Sequence, residues 1–216
     1  MTSETYASGS SGLATYVNGY LPDDEILEAA RARAADLGCP AVEPAAGAAL
    51  RFLAATLCAR AVVEIGTGAG VSSLYLLRGM DPDGVLTSID IEPEYHRAAR
   101  QAFGEAGFPT GCARLIMGRA VDVLPRLTDG GYDLVFVDAA KVEYPHYYQR
   151  GVSLLRPGGV IAFSGVLANG KPADPARRDP ETLAVREVAR EVAGDERLMP
   201  ALLPVGGGLL VASRLA

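Results

Sequence analysis

The chain has no tryptophan, two histidines and three cysteines in 216 residues, and no excess of positive charge. Each shortage removes a class of function. Cys39, Cys58 and Cys112 are odd in number, widely spaced and without a C-x-x-C. Neither a disulfide framework nor a cysteine zinc site is therefore expected, and reduced thiols in a cytoplasmic protein are. A net charge of −6 and a pI near 5.0 leave no basic footprint for nucleic acid. No apolar run is long enough to span a membrane, so no membrane partner is expected. The polar start M-T-S-E-T-Y-A-S-G-S-S-G lacks the basic and apolar regions of a secretory signal. What remains, 49% hydrophobic and 21% charged, is the composition of a single α/β domain with a sizeable core.

The most informative stretch is Ala61 to Gly70, A-V-V-E-I-G-T-G-A-G. Ala61, Val62, Val63 and Ile65 read as a buried strand, and Gly66, Gly68 and Gly70 let the backbone turn sharply and approach a ligand before a helix begins near Val71. The next strand, Val85 to Ile89, ends in Asp90, about 20 residues past the last glycine, where a carboxylate suits the two hydroxyls of a ribose. The glycine spacing is G-x-G-x-G, with Val71 at the last position of the dinucleotide fingerprint G-x-G-x-x-G/A. Glu64, two residues before the first glycine, directs negative charge at the region where a pyrophosphate would lie. That charge repels a phosphate and suits an ammonium or a sulfonium. S-adenosylmethionine carries a ribose and both cations, and no phosphate. A nicotinamide-dependent oxidoreductase is the reading that the glycine spacing and Glu64 argue against.

Along the chain a flexible head within residues 1–20 is expected, then N-terminal helices within 21–60 and a cofactor-binding core over 61–216. The first helix reads as Pro22 to Leu37, with acids in its first turn and Gly38 as its stop, and the second as about Ala45 to Ala59. Five strands then alternate with helices: Ala61 to Ile65, Val85 to Asp90, Arg114 to Met117, Tyr132 to Asp138, and Val160 to Ser164 after the Pro157-Gly158-Gly159 turn. The helix after the fourth strand is expected to run through Tyr148. His96, on the helix after the second strand, is expected to face solvent. Asp179-Pro180-Glu181 opens a last helix, with Asp as N-cap and Pro at the first helical position. Arg197 to Leu203 and Leu209 to Ser213 close the chain as a hairpin. The fold class is α/β, Rossmann-like: a seven-stranded, mostly parallel sheet with one antiparallel strand from the C-terminal hairpin and helices on both faces.

Taken in order, E-I-G-T-G-A-G, F-V-D-A-A-K (Phe136 to Lys141), L-L-R-P-G-G-V (Leu154 to Val160) and L-P-V-G-G-G (Leu203 to Gly208) resemble the caffeoyl-CoA and catechol O-methyltransferase family, O-methyltransferase family 3. The resemblance runs from about Val42 to Arg214 and is closest to small actinobacterial members. It implies a cofactor pocket for S-adenosyl-L-methionine lined by Val42, Glu64, Gly66, Thr67, Gly68, Gly70, Ser72, Asp90, Ala120 and Asp138. The Ser72 hydroxyl would reach the methionine carboxylate and Ala120 would pack near the adenine. It also implies a homodimer.

The family binds a divalent metal with the first Asp of F-V-D-A-D-K and an Asp-Asn pair at the end of the next strand. Asp138 matches the first ligand, but the others fall on Ala140, Ser164 and Gly165. Magnesium wants near-octahedral hard oxygen ligands, usually including carboxylates, so this set is a poor replacement and no family-type metal is expected. Without one, something else must remove the acceptor's proton, because a phenol's ordinary pKa is near 10. Lys141, three residues after Asp138, matches the family's catalytic lysine, and a cationic cofactor in a partly dry pocket would favour its neutral form. The alternatives are a surface lysine paired with Glu143 or Asp138, and His146 as base. Tyr144 and Tyr147 either stack on an aromatic acceptor alongside Asp138 or pack their helix onto the sheet. The function expected is methyl transfer from S-adenosylmethionine to a hydroxyl of a small aromatic molecule. A cofactor-binding protein with weak or no catalysis is the alternative.

Overall fold

The structure is a computed structural model that describes the backbone of residues 4–216 and the side chains from residue 12 onward. Seven strands form one sheet in the order β3-β2-β1-β4-β5-β7-β6. They are β1 (Ala61–Ile65), β2 (Val85–Asp90), β3 (Ala113–Met117), β4 (Tyr132–Val137), β5 (Leu155–Ser164), β6 (Leu198–Leu203) and β7 (Leu209–Arg214). The first five are parallel to one another, and β7 runs antiparallel to both β5 and β6. This is the sheet the sequence pattern predicts, with β1 and β2 at the expected bounds.

Period-two alternation sends successive side chains to opposite faces, and both faces are covered. Val62, Leu134 and Phe136 pack with Leu50 of α3 (Pro44–Thr56), Leu74 of α4 (Val71–Gly79) and Phe103 of α5 (Pro93–Glu105). Val63, Val135 and Val137 pack on the other side with Val123 of α6 (Ala120–Val123), Val152 of α7 (Tyr144–Leu154) and Val188 of α8 (Pro180–Gly194). Among the described residues no helix is long and apolar enough to cross a membrane.

Several boundaries differ from expectation. The expected head lies outside the described residues only at 1–3; from Glu4 to Gly19 the chain is a helix, α1. Its Ser and Gly content argues against a helix on propensity, and a tertiary contact at its C-terminal end opposes that bias. Asn18 donates to Glu43 Oε2 at 2.7 Å and accepts from Ala45 N at 3.1 Å. It thereby caps α3, whose own N-cap Glu43 makes no side-chain cap bond. The next helix, α2 (Glu25–Asp36), starts at the N-cap Asp24, not at Pro22. α7 extends beyond Tyr148 to Leu154 and β5 follows at once, so Pro157-Gly158-Gly159 lies inside the strand, at the register break between Tyr132 and Leu134. His96 is buried, not solvent-facing: it is 3% exposed, because it shares the inner face of α5 with Ala99 and Phe103.

Candidate functional site

The carboxyl ends of β1, β2 and β4 meet where the chain order reverses across the sheet, with β2 and β3 on one side of β1 and β4 and β5 on the other. Helices leave such a point on opposite faces and open a crevice there. The backbone is tied across it: Gly66 N donates to Ile89 O at 2.9 Å, and Asp138 N donates to Ile65 O at 2.8 Å. Gly66 has φ +94°, and a Cβ there would lie 2.1 Å from the Asp138 carbonyl oxygen, so only glycine fits. A cavity of about 610 Å³ opens above these strand ends.

Eight of the ten residues expected around a cofactor line that cavity: Val42, Gly66, Thr67, Gly68, Ser72, Asp90, Ala120 and Asp138. Lys141 and Tyr147 line it as well. Asp90 accepts Gly68 N at 3.0 Å through Oδ2 and Glu92 N at 3.1 Å through Oδ1. A carboxylate has about four lone-pair sites, so two remain for the hydroxyls of a ribose. The structure thus supplies a backbone cradle and a half-satisfied carboxylate, and S-adenosylmethionine fits both.

Glu64 and Gly70 are not part of the wall. Gly70, at φ +88°, is the N-cap of α4, and a Cβ there would come within 2.9 Å of Ala99 Cα, so its task is the close packing of α4 on α5. Glu64 lies on the α4 face of β1 with no solvent exposure. Ser72 donates to its Oε1 at 2.6 Å, and Ser73 and Ser88 donate to its Oε2. Ser88 has then spent its one proton, so Thr67 is the donor in the 2.6 Å contact between their hydroxyls. Burial pushes the Glu64 carboxyl up to about 7, against the opposing pull of the serine hydroxyls. Its charge meets the cavity through Ser72 and Thr67, and the Ser72 proton is committed to Glu64 in place of the expected methionine carboxylate.

At the other end, burial raises Asp138 to about 6, opposed by the Lys141 ammonium and by a hydrogen bond from Ser164. The ammonium sits 6.0 Å from the centre of the Tyr144 ring. Tyr144 has no exposed surface, contacts Phe163 with ring centroids 5.4 Å apart, and donates to Ser164 O at 2.9 Å. It cannot stack on an acceptor, because the ring is wholly buried and its hydroxyl is engaged inside the protein. Tyr147 remains at the wall, its hydroxyl donating to Glu143. His146 lies on α7, outside the cavity.

The donor set does not fit a family-type metal. It offers one carboxylate, Asp138, and the Ser164 hydroxyl, with only a methyl at Ala140 and no side chain at Gly165. The Lys141 ammonium, whose charge is felt by that carboxylate, would also repel a divalent cation.

Among the wall residues missed by sequence reasoning are Cys39, Tyr95, Arg119 and Glu143. Cys39 and Tyr95 lie together at the ribose end, where burial raises both the thiol and the phenol. Arg119 and Glu143 form an ion pair at 3.2 Å, joining the loop before α6 to the turn before α7. Arg119 directly precedes Ala120, which was the available signal; the Cys39–Tyr95 pair joins distant stretches of chain and left none.

A family model described as O-methyltransferase matches residues 20–215. A Mycobacterium avium relative that carries an O-methyltransferase name is 53% identical over 211 residues, 98% of this chain and 95% of the relative. The crystal structure of the O-methyltransferase TomG from Streptomyces achromogenes, involved in tomaymycin synthesis and bound to SAM, superposes with a TM-score of 0.85 at 32% identity, covering 95% of this chain and 96% of that one. An O-methyltransferase from Bacillus cereus in complex with SAH gives 0.84 at 28% identity, covering 94% and 97%.

Proposed function

We infer the acceptor and its base from one premise: this chain belongs to the O-methyltransferase family and is an S-adenosylmethionine-dependent enzyme of it. The acceptor proposed is a hydroxyl of a small aromatic molecule, methylated without a divalent metal. The observation that carries this reading is that Lys141 and Asp138 line one end of the cavity that holds the glycine loop and Asp90 at the other, with the lysine's charge felt by the Asp138 carboxyl.

When bound, S-adenosylmethionine supplies a methyl group on a sulfonium, already activated for transfer. The Gly66–Gly70 loop and the free lone pairs of Asp90 hold the nucleoside end, with Val42 and Ala120 packing against it. Glu64 acts from behind, through Ser72 and Thr67, by keeping negative character next to a cationic ligand. Lys141, as the free amine, takes the proton of the acceptor hydroxyl, becomes an ammonium and leaves the oxygen's electron pair free for the methyl. Asp138 stays beside the resulting ammonium and stabilises it. Tyr147 is the one aromatic of the predicted pair that remains available to the acceptor. We also read the protein as one domain and as a cytoplasmic homodimer. The exposed Leu13, Tyr16 and Tyr20 at the end of α1, and Phe52 of the contacting helix α3, support the dimer, and three free cysteines support the compartment.

A panel of phenols and catechols, assayed with S-adenosylmethionine in chelator and again in magnesium, tests the reading. Turnover of at least one phenol, equal in both, is the expected result. Activity abolished by chelator and restored by magnesium overturns the metal-free part. Tight cofactor binding with no turnover across the panel would favour the non-catalytic alternative.

A further inference from the structure

Gly165 opens the turn that leaves β5, at φ +67°. A Cβ built there would stand 3.0 Å from Lys141 Cε and 3.1 Å from its Nζ. Those distances are tighter than ordinary van der Waals contact, so the end of the lysine occupies the space that a side chain at 165 would claim. We propose that Gly165 is a positioning residue for Lys141: its missing side chain leaves the space in which the end of the lysine sits, with the nitrogen 6.0 Å from the centre of the Tyr144 ring. The proposal rests on the reading of Lys141 as the base.

The surrounding geometry decides which group would have to move. Gly165 is packed from its other side by the turn from Val205 to Gly208, where a Cβ on Gly207 would lie 3.3 Å from Gly165 Cα. The two residues after it are pinned to the same turn, Val166 N donating to Gly208 O at 3.2 Å and Leu167 N donating to Gly207 O at 2.8 Å. The residue before it is pinned as well, since Ser164 O accepts the Tyr144 hydroxyl at 2.9 Å. The backbone therefore has no room to retreat from an added side chain. Lysine has a long flexible stem, so it is the partner that yields. A Cβ alone asks the lysine end to give by a few tenths of an ångström, and a longer side chain at 165 asks for more, which moves the nitrogen from its place over the buried Tyr144 ring. Displacement of a reacting group by about 1 Å costs on the order of a hundredfold in rate.

The test compares four proteins: the parent, Gly165→Asn, Lys141→Met and the double variant. Asparagine is chosen because it tolerates the left-handed backbone better than other side chains, and all four proteins are assayed in chelator because asparagine is also the family's metal ligand at this position. Gly165→Asn should lower kcat on an ordinary phenol by about ten- to a hundredfold while leaving the S-adenosylmethionine Kd within about twofold. A nitrophenol, already ionised at assay pH, should lose much less. In the Lys141→Met background the second substitution should cost nothing further. Gly165→Ala adds the Cβ alone and should give a smaller loss of the same pattern, which carries the test if the asparagine variant does not fold. An equal loss from Gly165→Asn with and without Lys141 overturns the proposal, because glycine would then act through the backbone. So does an unchanged kcat. If Lys141→Met itself keeps full turnover, the base reading fails first and the proposal falls with it, an outcome distinct from either of these.

Discussion

Glu64 makes stability depend on pH in a direction opposite to that of most carboxylates. In the native protein its carboxyl is raised to about 7 by complete burial, from an ordinary 4.5 in the unfolded chain. Below pH 4.5 both states hold the proton, and whatever stability the buried neutral carboxyl gives is fully present. Between 4.5 and 7 the native state keeps a proton that the unfolded chain has released, so unfolding becomes easier as pH rises. Above 7 both are ionised and the loss is complete. A separation of about 2.5 units at 1.36 kcal/mol each amounts to about 3 kcal/mol. Glu64→Gln has nearly the same shape and nothing to titrate. The stability of the parent minus that of Glu64→Gln should therefore fall by about 3 kcal/mol between about pH 4.5 and 8. Asp138, raised for the same reason, is present in both proteins and drops out of the difference. Urea unfolding followed by far-ultraviolet circular dichroism is the suitable assay, since there is no tryptophan to report by fluorescence. Two curves that stay parallel within about 1 kcal/mol across the window would refute the reasoning. They would mean that the Ser72, Ser73 and Ser88 hydroxyls hold the carboxylate ionised against burial.

Three further outcomes are expected. Asp90→Ala removes the proposed ribose acceptor and the partner of Gly68 N, and at about 1.5–3 kcal/mol for a charge-assisted bond it should weaken S-adenosylmethionine about ten- to a hundredfold in calorimetry. Unchanged affinity would end the ribose assignment. Lys141→Met should lower turnover of ordinary phenols by about 10²–10⁴-fold with cofactor affinity intact, and equal losses for nitrophenols would point to positioning instead of proton removal. Arg186 of α8 donates to the carbonyls of Pro172, Arg177, Lys171 and Asp174, so its guanidinium gathers the segment after β5 into one body. Arg186→Ala should speed trypsin cleavage after Arg177 by about tenfold or more, with the circular dichroism unchanged, since each lost charged bond is worth about 1 kcal/mol or more. Cleavage at the parental rate would show that the segment is held by other contacts.

The sheet was legible because its signals are local. An apolar run bounded by glycine or a turn marks a parallel strand whatever surrounds it, which is why Ala61–Ile65 and Val85–Asp90 appear at their expected ends. The glycine loop was legible for the same reason: positive φ at Gly66, Gly68 and Gly70 is a demand of the backbone itself. Asp90 followed from its distance along the chain. The helix α1 was not legible, because its Ser- and Gly-rich sequence opposes helix and the supporting contact, Asn18 on the start of α3, joins residues 27 apart.

The sequence by itself determined the strands, the glycine loop at the end of the first of them and which residue types border the crevice. Tertiary structure alone decided which side chains enter that crevice. Glu64 carries the charge that first set phosphate aside, yet strand alternation turns it onto the α4 face beneath three serines. Tyr144 and Tyr147 lie on one helix three residues apart, and only the second reaches the wall, because the first is consumed by Phe163 and the Ser164 carbonyl. The nearness of Gly165 to Lys141 belongs to two strand ends brought together by the sheet, 24 residues apart in the chain. Periodicity fixes the face on which a side chain emerges; what it meets there depends on elements that come from elsewhere in the sequence.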